Sequence, residues 1–263
     1  MKEILIPVAV IGGLGLLFGL LLAYAAAVFA VKKDERVEKI EKVLPGANCG
    51  SCGYAGCAAY AAAVVEVGAP VNACSVGKQA VADKIADIMG VEAGDIQPMT
   101  AHVKCGGVCE KSGSKFDYVG LDDCVAVSKL AGGEKHCRNA CLGRGTCVKT
   151  CKFGAISISD GIAAVDREKC GGCGACVKVC PHSVIELIPN KAKAVVNCSN
   201  TEAGQSANRH CKASCIGCRI CEKNCEADAI RVINNVAVID YSKCIGCGVC
   251  AEKCPKKVIK LLA

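Results

Sequence analysis

Tryptophan is missing from this chain of 263 residues, and aromatic side chains make up only 3% of it. Rings are the platforms on which nucleic-acid-binding proteins stack bases, so their scarcity argues against a nucleic-acid partner despite a formal net charge of +7. A P-loop and a Ser/His/Asp set are missing as well. Gly13 and Gly15 begin a GxGxx pattern, but they sit in an apolar run without the strand–turn–helix context that a dinucleotide loop needs. The four histidines read as surface or supporting groups; only His136 and His210 draw notice, each standing beside a cysteine. Nothing here equips the chain to act as acid, base or nucleophile. With so few bulky side chains, small modules bury little apolar area and need another source of stability.

What is abundant is cysteine: 25 residues, close to one in ten. That leaves a disulfide scaffold or a metal protein. Disulfide scaffolds are short, secreted and irregular in spacing, and C-x-x-C neighbours are poorly placed to bridge. The spacing here is tight and stereotyped. KCIGCGVCAEKCP at 243–255 and KCGGCGACVKVCP at 169–181 share one pattern, C-x2-C-x2-C-x3-C-P, at an offset of 74 residues. The reading is metal, with the metal centres serving as cores without which the modules do not fold.

The offset extends beyond those two runs. Cys124 falls on Cys198, Cys137 on Cys211, Cys141 on Cys215, Cys147 on Cys221 and Cys151 on Cys225, and His136 meets His210. Between the cysteine runs, AISISDGIAAVD (155–166) and AIRVINNVAVID (229–240) alternate around Asp-Gly and Asn-Asn, a hairpin signature in each copy. Each copy should run from motif to short helix, hairpin, motif and short helix.

This arrangement resembles the bacterial ferredoxin fold with two [4Fe-4S] clusters, in which the fourth cysteine of each run ligates the other cluster. The resemblance implies one cluster on Cys215, Cys218, Cys221 and Cys254, and another on Cys244, Cys247, Cys250 and Cys225. In the first copy it implies a cluster on Cys170, Cys173, Cys176 and Cys151. The remaining set departs from the pattern, because Arg144 stands where the second copy has Cys218. Only Cys141, Cys147 and Cys180 are in register there. Cys137, the nearest spare thiol, is expected to complete the set; a three-iron cluster or none is the competing reading. Zinc also accepts four thiolates and is the alternative metal throughout.

Ahead of the repeat, LPGANCGSCGYAGCAAYAAAVVEVGAPVNAC places Cys49, Cys52, Cys57 and Cys74 at x2, x4 and x16 spacing, among glycines that let the backbone curl round a centre. Two helices follow, in AGCAAYAAAVVEV and QAVADKIADIMG. These four thiols suit a [4Fe-4S] cluster or structural zinc. At the N-terminus, Ile4 to Val31 contains no charge for 28 residues, more than the ~20 a bilayer requires and too long for a signal-peptide core. Gly15 and Gly19 form a GxxxG pair within it, a packing face or simply common helix glycines. Lys32 and Lys33 beyond the span favour a cytoplasmic C-terminal side, as does a wealth of reduced thiols.

An apolar anchor, a CxxCGxxGC…C unit and ferredoxin modules, in that order, resemble the B subunit of the Rnf complex, the ion-translocating, membrane-bound ferredoxin:NAD oxidoreductase. The likeness covers nearly the whole chain, although the simplest pattern of that family has one two-cluster module where this chain has two. It implies an electron-transfer subunit that accepts electrons from reduced ferredoxin, passes them to other membrane subunits, and leaves NAD, flavins and the ion path to those subunits. It also favours iron at Cys49, Cys52, Cys57 and Cys74. The alternatives are an iron–sulfur subunit of another membrane redox complex, of the hydrogenase or formate dehydrogenase type, or a zinc-stabilised structural module.

The expected architecture is α+β: a transmembrane anchor (1–31), a charged juxtamembrane helix (32–44), a small, mostly helical four-cysteine domain (45–100), a cysteine-containing connector (101–123) and two ferredoxin-like modules (124–197 and 198–263). Five [4Fe-4S] clusters are expected. The spare Cys105, Cys109, Cys124, Cys198 and Cys211 leave two readings open: a sixth cluster drawn from them, or buried small hydrophobes and free thiols. Charge is uneven, net −3 over residues 1–123 and +10 beyond them. The basic half suits docking of an acidic protein such as ferredoxin, though the clusters' own negative charge offsets much of it. Partners are therefore soluble ferredoxin, membrane subunits and the bilayer through residues 4–31, at the cell membrane.

Overall fold

The computed structural model describes residues 2–28 and 34–262. Helix α1 (Lys2–Val28) includes the apolar stretch Val10–Val28, long and apolar enough to cross a membrane, and none of that stretch is buried against the rest of the chain. The final residues of the expected span, 29–31, and the flanking Lys32 and Lys33 lie outside the described residues.

Beyond the anchor, Asp34 caps α2 (Glu35–Val43) by accepting from the Arg36 N–H at 2.8 Å. Its apolar side, Val37 and Ile40, packs with Leu44 on α3 (Cys57–Glu66) and α4 (Lys78–Met89), burying Tyr60, Val64 and Ile85. The two helices read from sequence are these two. The charged juxtamembrane helix is thus also part of the core of the four-cysteine domain.

The rest is four two-stranded antiparallel sheets. Strand β1 (Met99–Val103) pairs with β4 (Ile185–Pro189), enclosing the α5 helix (Cys124–Lys129), α6 (Thr146–Thr150), the β2–β3 hairpin (Ile156–Ser159, Ile162–Val165) and α7 (Ala175–Val179). The pattern then recurs. Strand β5 (Ala194–Val196) pairs with β8 (Ile259–Leu261) around α8 (Gly204–His210), α9 (Ile220–Lys223), the β6–β7 hairpin (Ile230–Ile233, Val236–Ile239) and α10 (Val249–Glu252). Both hairpins turn through residues of positive φ, Asp160–Gly161 and Asn234–Asn235, as their sequences predict.

Each module is therefore closed by a clip of its first and last strands, a feature absent from the sequence-based expectation. β1 straddles residues 100 and 101, where the four-cysteine domain was expected to give way to the connector, and it pairs within module 1. Between the first strand and the first cysteine loop each module carries an insertion, roughly 104–140 in module 1 and 197–214 in module 2. The insertions touch. Lys212 N–H donates to Lys111 O at 2.8 Å, Ser199 Oγ to Asn139 O at 2.9 Å, and Ser112 bridges Cys211.

Candidate metal centres

No disulfide joins any of the 25 cysteines, and 24 of them gather into six groups of four. Site A holds Cys49, Cys52, Cys57 and Cys74, the first three facing the Cys74 thiol. Asn48 Oδ1 accepts from the Cys57 N–H at 2.8 Å, and Ser51 joins Ser75 at 2.7 Å, fixing the loops that carry Cys52 and Cys74 side by side. Site B groups Cys151, Cys170, Cys173 and Cys176. In module 2, Cys215, Cys218, Cys221 and Cys254 line site E, while Cys225, Cys244, Cys247 and Cys250 line site F. The crossing of Cys225 and Cys254 has a local cause. The short helix that carries the third cysteine of each run, α9 with Cys221 and α10 with Cys250, ends two residues before the fourth, which lines the other site.

The structure corrects the expectation at the irregular site. Cys137 does not join Cys141, Cys147 and Cys180. Site C is closed by Cys124 instead, in one cavity with those three. Asp123 caps α5 through the Val125 and Ala126 N–H groups, and it also accepts from Thr146 Oγ1 at 2.9 Å. Thr146 Oγ1 in turn accepts from the Cys124 N–H at 2.7 Å. This clamp seats Cys124 against Thr146, the residue before Cys147 in α6. Arg144, in the place of the lost cysteine, turns outward to Glu134 and Asp122 and over the Tyr118 ring. Gly143 makes that bend; with φ at +69°, a Cβ there would lie 2.4 Å from Gly161 O.

Site D lies between the modules. Cys105, Cys137, Cys198 and Cys211 line one cavity, two thiols from each insertion, and the Cys137 thiol faces the other three. Of the five spare cysteines named from sequence, Cys105, Cys198 and Cys211 are in this group. Cys124 has gone to site C, and Cys109 is exposed and alone. An equal repeat offset hid this split: Cys124 and Cys198 align, yet one serves its own module and the other the seam. The Asp123 cap ahead of Cys124 was the legible signal.

The donor sets suit a sulfur-loving group. Each is all thiol, which disfavours hard cations. Backbone amides already point at sulfur: Ala163 to Cys141 at 3.3 Å, Ala229 to Cys225 at 3.3 Å, Cys215 to Cys198 at 3.2 Å and Cys141 to Cys105 at 3.4 Å. Such N–H groups stabilise negative sulfur and tune cluster potentials. Burial pushes the bare thiols up, Cys137 and Cys147 to about 12 and Cys176, Cys198 and Cys221 to about 11. Four such thiols ionise together only around a cationic core. Among the described residues no three Cys, His, Asp or Glu side chains close tightly enough for a single ion.

Comparison with known proteins agrees. An Fe-S cluster family model matches residues 44–76, and the 4Fe-4S binding domain model matches 163–186 and 237–260. The B subunit of the proton-translocating ferredoxin:NAD(+) oxidoreductase complex of Clostridium ljungdahlii is 45% identical over 92% of this chain and 86% of its own length. The B subunit of the Na(+)-translocating complex of Acetobacterium woodii is 46% identical over 92% of this chain and 73% of its own. The B subunit of the ion-translocating oxidoreductase complex of Methanosarcina acetivorans is 41% identical over 99% of this chain and its full length. The clip-closed modules, the all-thiol sites and these relatives lead to one family: the chain belongs to the B subunits of the Rnf-type ion-translocating ferredoxin:NAD oxidoreductase complexes, as an iron–sulfur electron-transfer subunit.

Proposed function

We propose that the chain is a membrane-anchored relay of six [4Fe-4S] clusters, held by sites A to F, which takes electrons from reduced ferredoxin and delivers them to membrane subunits of the complex. Such clusters supply one-electron chemistry, and the protein supplies spacing, insulation and tuning. The order of the sites supports a single file. Cys49 of site A faces Cys173 of site B, and Lys152 binds Ala47 O and Asn48 O across that junction at 3.0 and 2.9 Å. Cys176 of site B faces Cys147 of site C. Site C meets D through the Cys141–Cys105 contact, and D meets E through Cys215–Cys198. Sites E and F share module 2.

The observation that carries the reading is site D. Without it the two modules would be separate two-centre units; with it the file is continuous. Site F stands at the opposite end of the file from site A, with Cys247 and Ile245 exposed, and suits the docking of a soluble donor. Site A, packed beside α2, suits exit toward the membrane. Lys32 and Lys33 support a cytoplasmic C-terminal side. The test is iron and acid-labile sulfide on anaerobically purified chain: about 24 irons support six cubes, and about 20 would remove one site from the file. Zinc in place of iron would overturn the reading.

A further inference from the structure

Lys135 is the one deeply buried cation among the described residues, 5% exposed, and the relay as described gives it no part. It sits in the insertion of module 1, two residues before Cys137. Its ammonium donates to Gly107 O at 3.1 Å and to Gly161 O at 2.8 Å. Both partners are neutral carbonyls. The neighbouring Glu134 is engaged by Arg144 instead, so the charge on Lys135 stays uncompensated by its own contacts.

The two carbonyls belong to different sites. Gly107 lies against site D; a Cβ there would stand 3.3 Å from Cys211 Sγ and 3.5 Å from Cys105 Sγ. Gly161 is the tip of the β2–β3 hairpin and packs on Gly143, between Cys141 and Arg144 of the site C loop. Held on Gly161 O and Gly107 O, the ammonium sits between the loop of site C and the Cys105 and Cys211 sulfurs of site D. Lys256 of module 2 reaches an exposed Asn208 instead. Alignment of the repeat puts Arg209 opposite Lys135, and Arg209 is exposed. The buried cation is a feature of the C–D junction alone.

We infer that Lys135 is a potential-setting residue for sites C and D, a fixed positive charge that eases one-electron reduction of both centres at the passage from one module to the next. Adding an electron adds one negative charge to a centre, and a cation buried nearby stabilises the reduced form more than the oxidised one. Lying between two centres, it raises both and keeps the step between them small. The inference rests on the six-centre reading of the relay.

The experiment is an EPR-monitored redox titration of the whole chain, with Lys135→Gln and Lys135→Arg beside the unaltered protein. Signals of C and D are assigned from Cys124→Ser and Cys198→Ser. Glutamine keeps an N–H donor for the carbonyls and removes the charge. It should make reduction of C and D at least tenfold less favourable, about 59 mV lower for a one-electron couple, while A, B, E and F stay put. Arginine should hold both potentials near their original values. If the glutamine protein does not load, Lys135→Met keeps the apolar stem and is titrated in its place. Unmoved midpoints in a neutral variant that still carries six cubes overturn the inference and leave the relay standing. A parent chain in which Cys124→Ser and Cys198→Ser remove no signal overturns the relay reading itself.

Discussion

Module 1 and module 2 share a hairpin, a strand clip and crossed cysteine runs, yet they solve one problem differently. In module 2 the first loop supplies three thiols to site E, with Cys218 exposed at its tip. In module 1 that tip is Arg144, turned to Glu134 and Asp122, and the missing thiol arrives from α5 through the Asp123–Thr146 clamp. Module 2 has Asn197 and Ile220 at the clamp positions, so it could not hold Cys198 the same way. Freed from that duty, Cys198 faces the seam. On the six-cluster reading, a thiol absent from a loop in one copy and a cysteine placed at the boundary in the other are two halves of one difference between the copies.

That comparison breaks most completely if site D is not shared. Cys198→Ser should lower iron by about four per chain and sever electron passage between the modules. The check is stopped-flow reduction of sites A to C by a donor offered to the chain; undiminished passage would mean that the seam carries no current. Next in size, Cys124→Ser should extinguish site C, whereas Cys137→Ser should leave C intact and extinguish D. Adding Arg144→Cys to Cys124→Ser restores the module 2 pattern and should recover part of the C signal, read by EPR and iron content. A smaller effect is expected from Thr146→Val. It leaves the Cys124 N–H without its partner and should cost about 1–3 kcal/mol, seen in chemical unfolding of the loaded chain. Ile220→Thr in module 2, with no clamp to complete, should stay near zero. Smallest of all, Asn235→Gly at the β6–β7 turn relieves a positive φ of 65° but gives up the Asn235–Thr201 hydrogen bond, and thermal unfolding should move within about 0.5 kcal/mol.

Much of this was legible in the chain itself. The apolar run, the two helices after Cys57 and Lys78, both hairpins and the regular cysteine runs follow from period, turn chemistry and spacing. What escaped was everything set by contact between distant segments. Strands β1 and β5 are three to five residues long and gain their identity only by pairing with β4 and β8, far along the sequence. Cys137 looked like the nearest replacement because sequence distance stood in for space. The Asp123 cap and the Thr146 hydroxyl, 23 residues apart, decided otherwise. Site D was within reach of ligand counting, but its membership was not, since half of it comes from each insertion.

The four thiols of site D have a mechanical meaning as well as an electrical one. On the six-cluster reading, a cube bound there would crosslink two lobes that already meet through hydrogen bonds, the stacked His136 and His210 rings and the packing of Cys211 and Ala213 into the core of module 1. Electron passage and an added tie between the modules would then come from a single act of cofactor insertion. A chain starved of iron at that seam would lose both together.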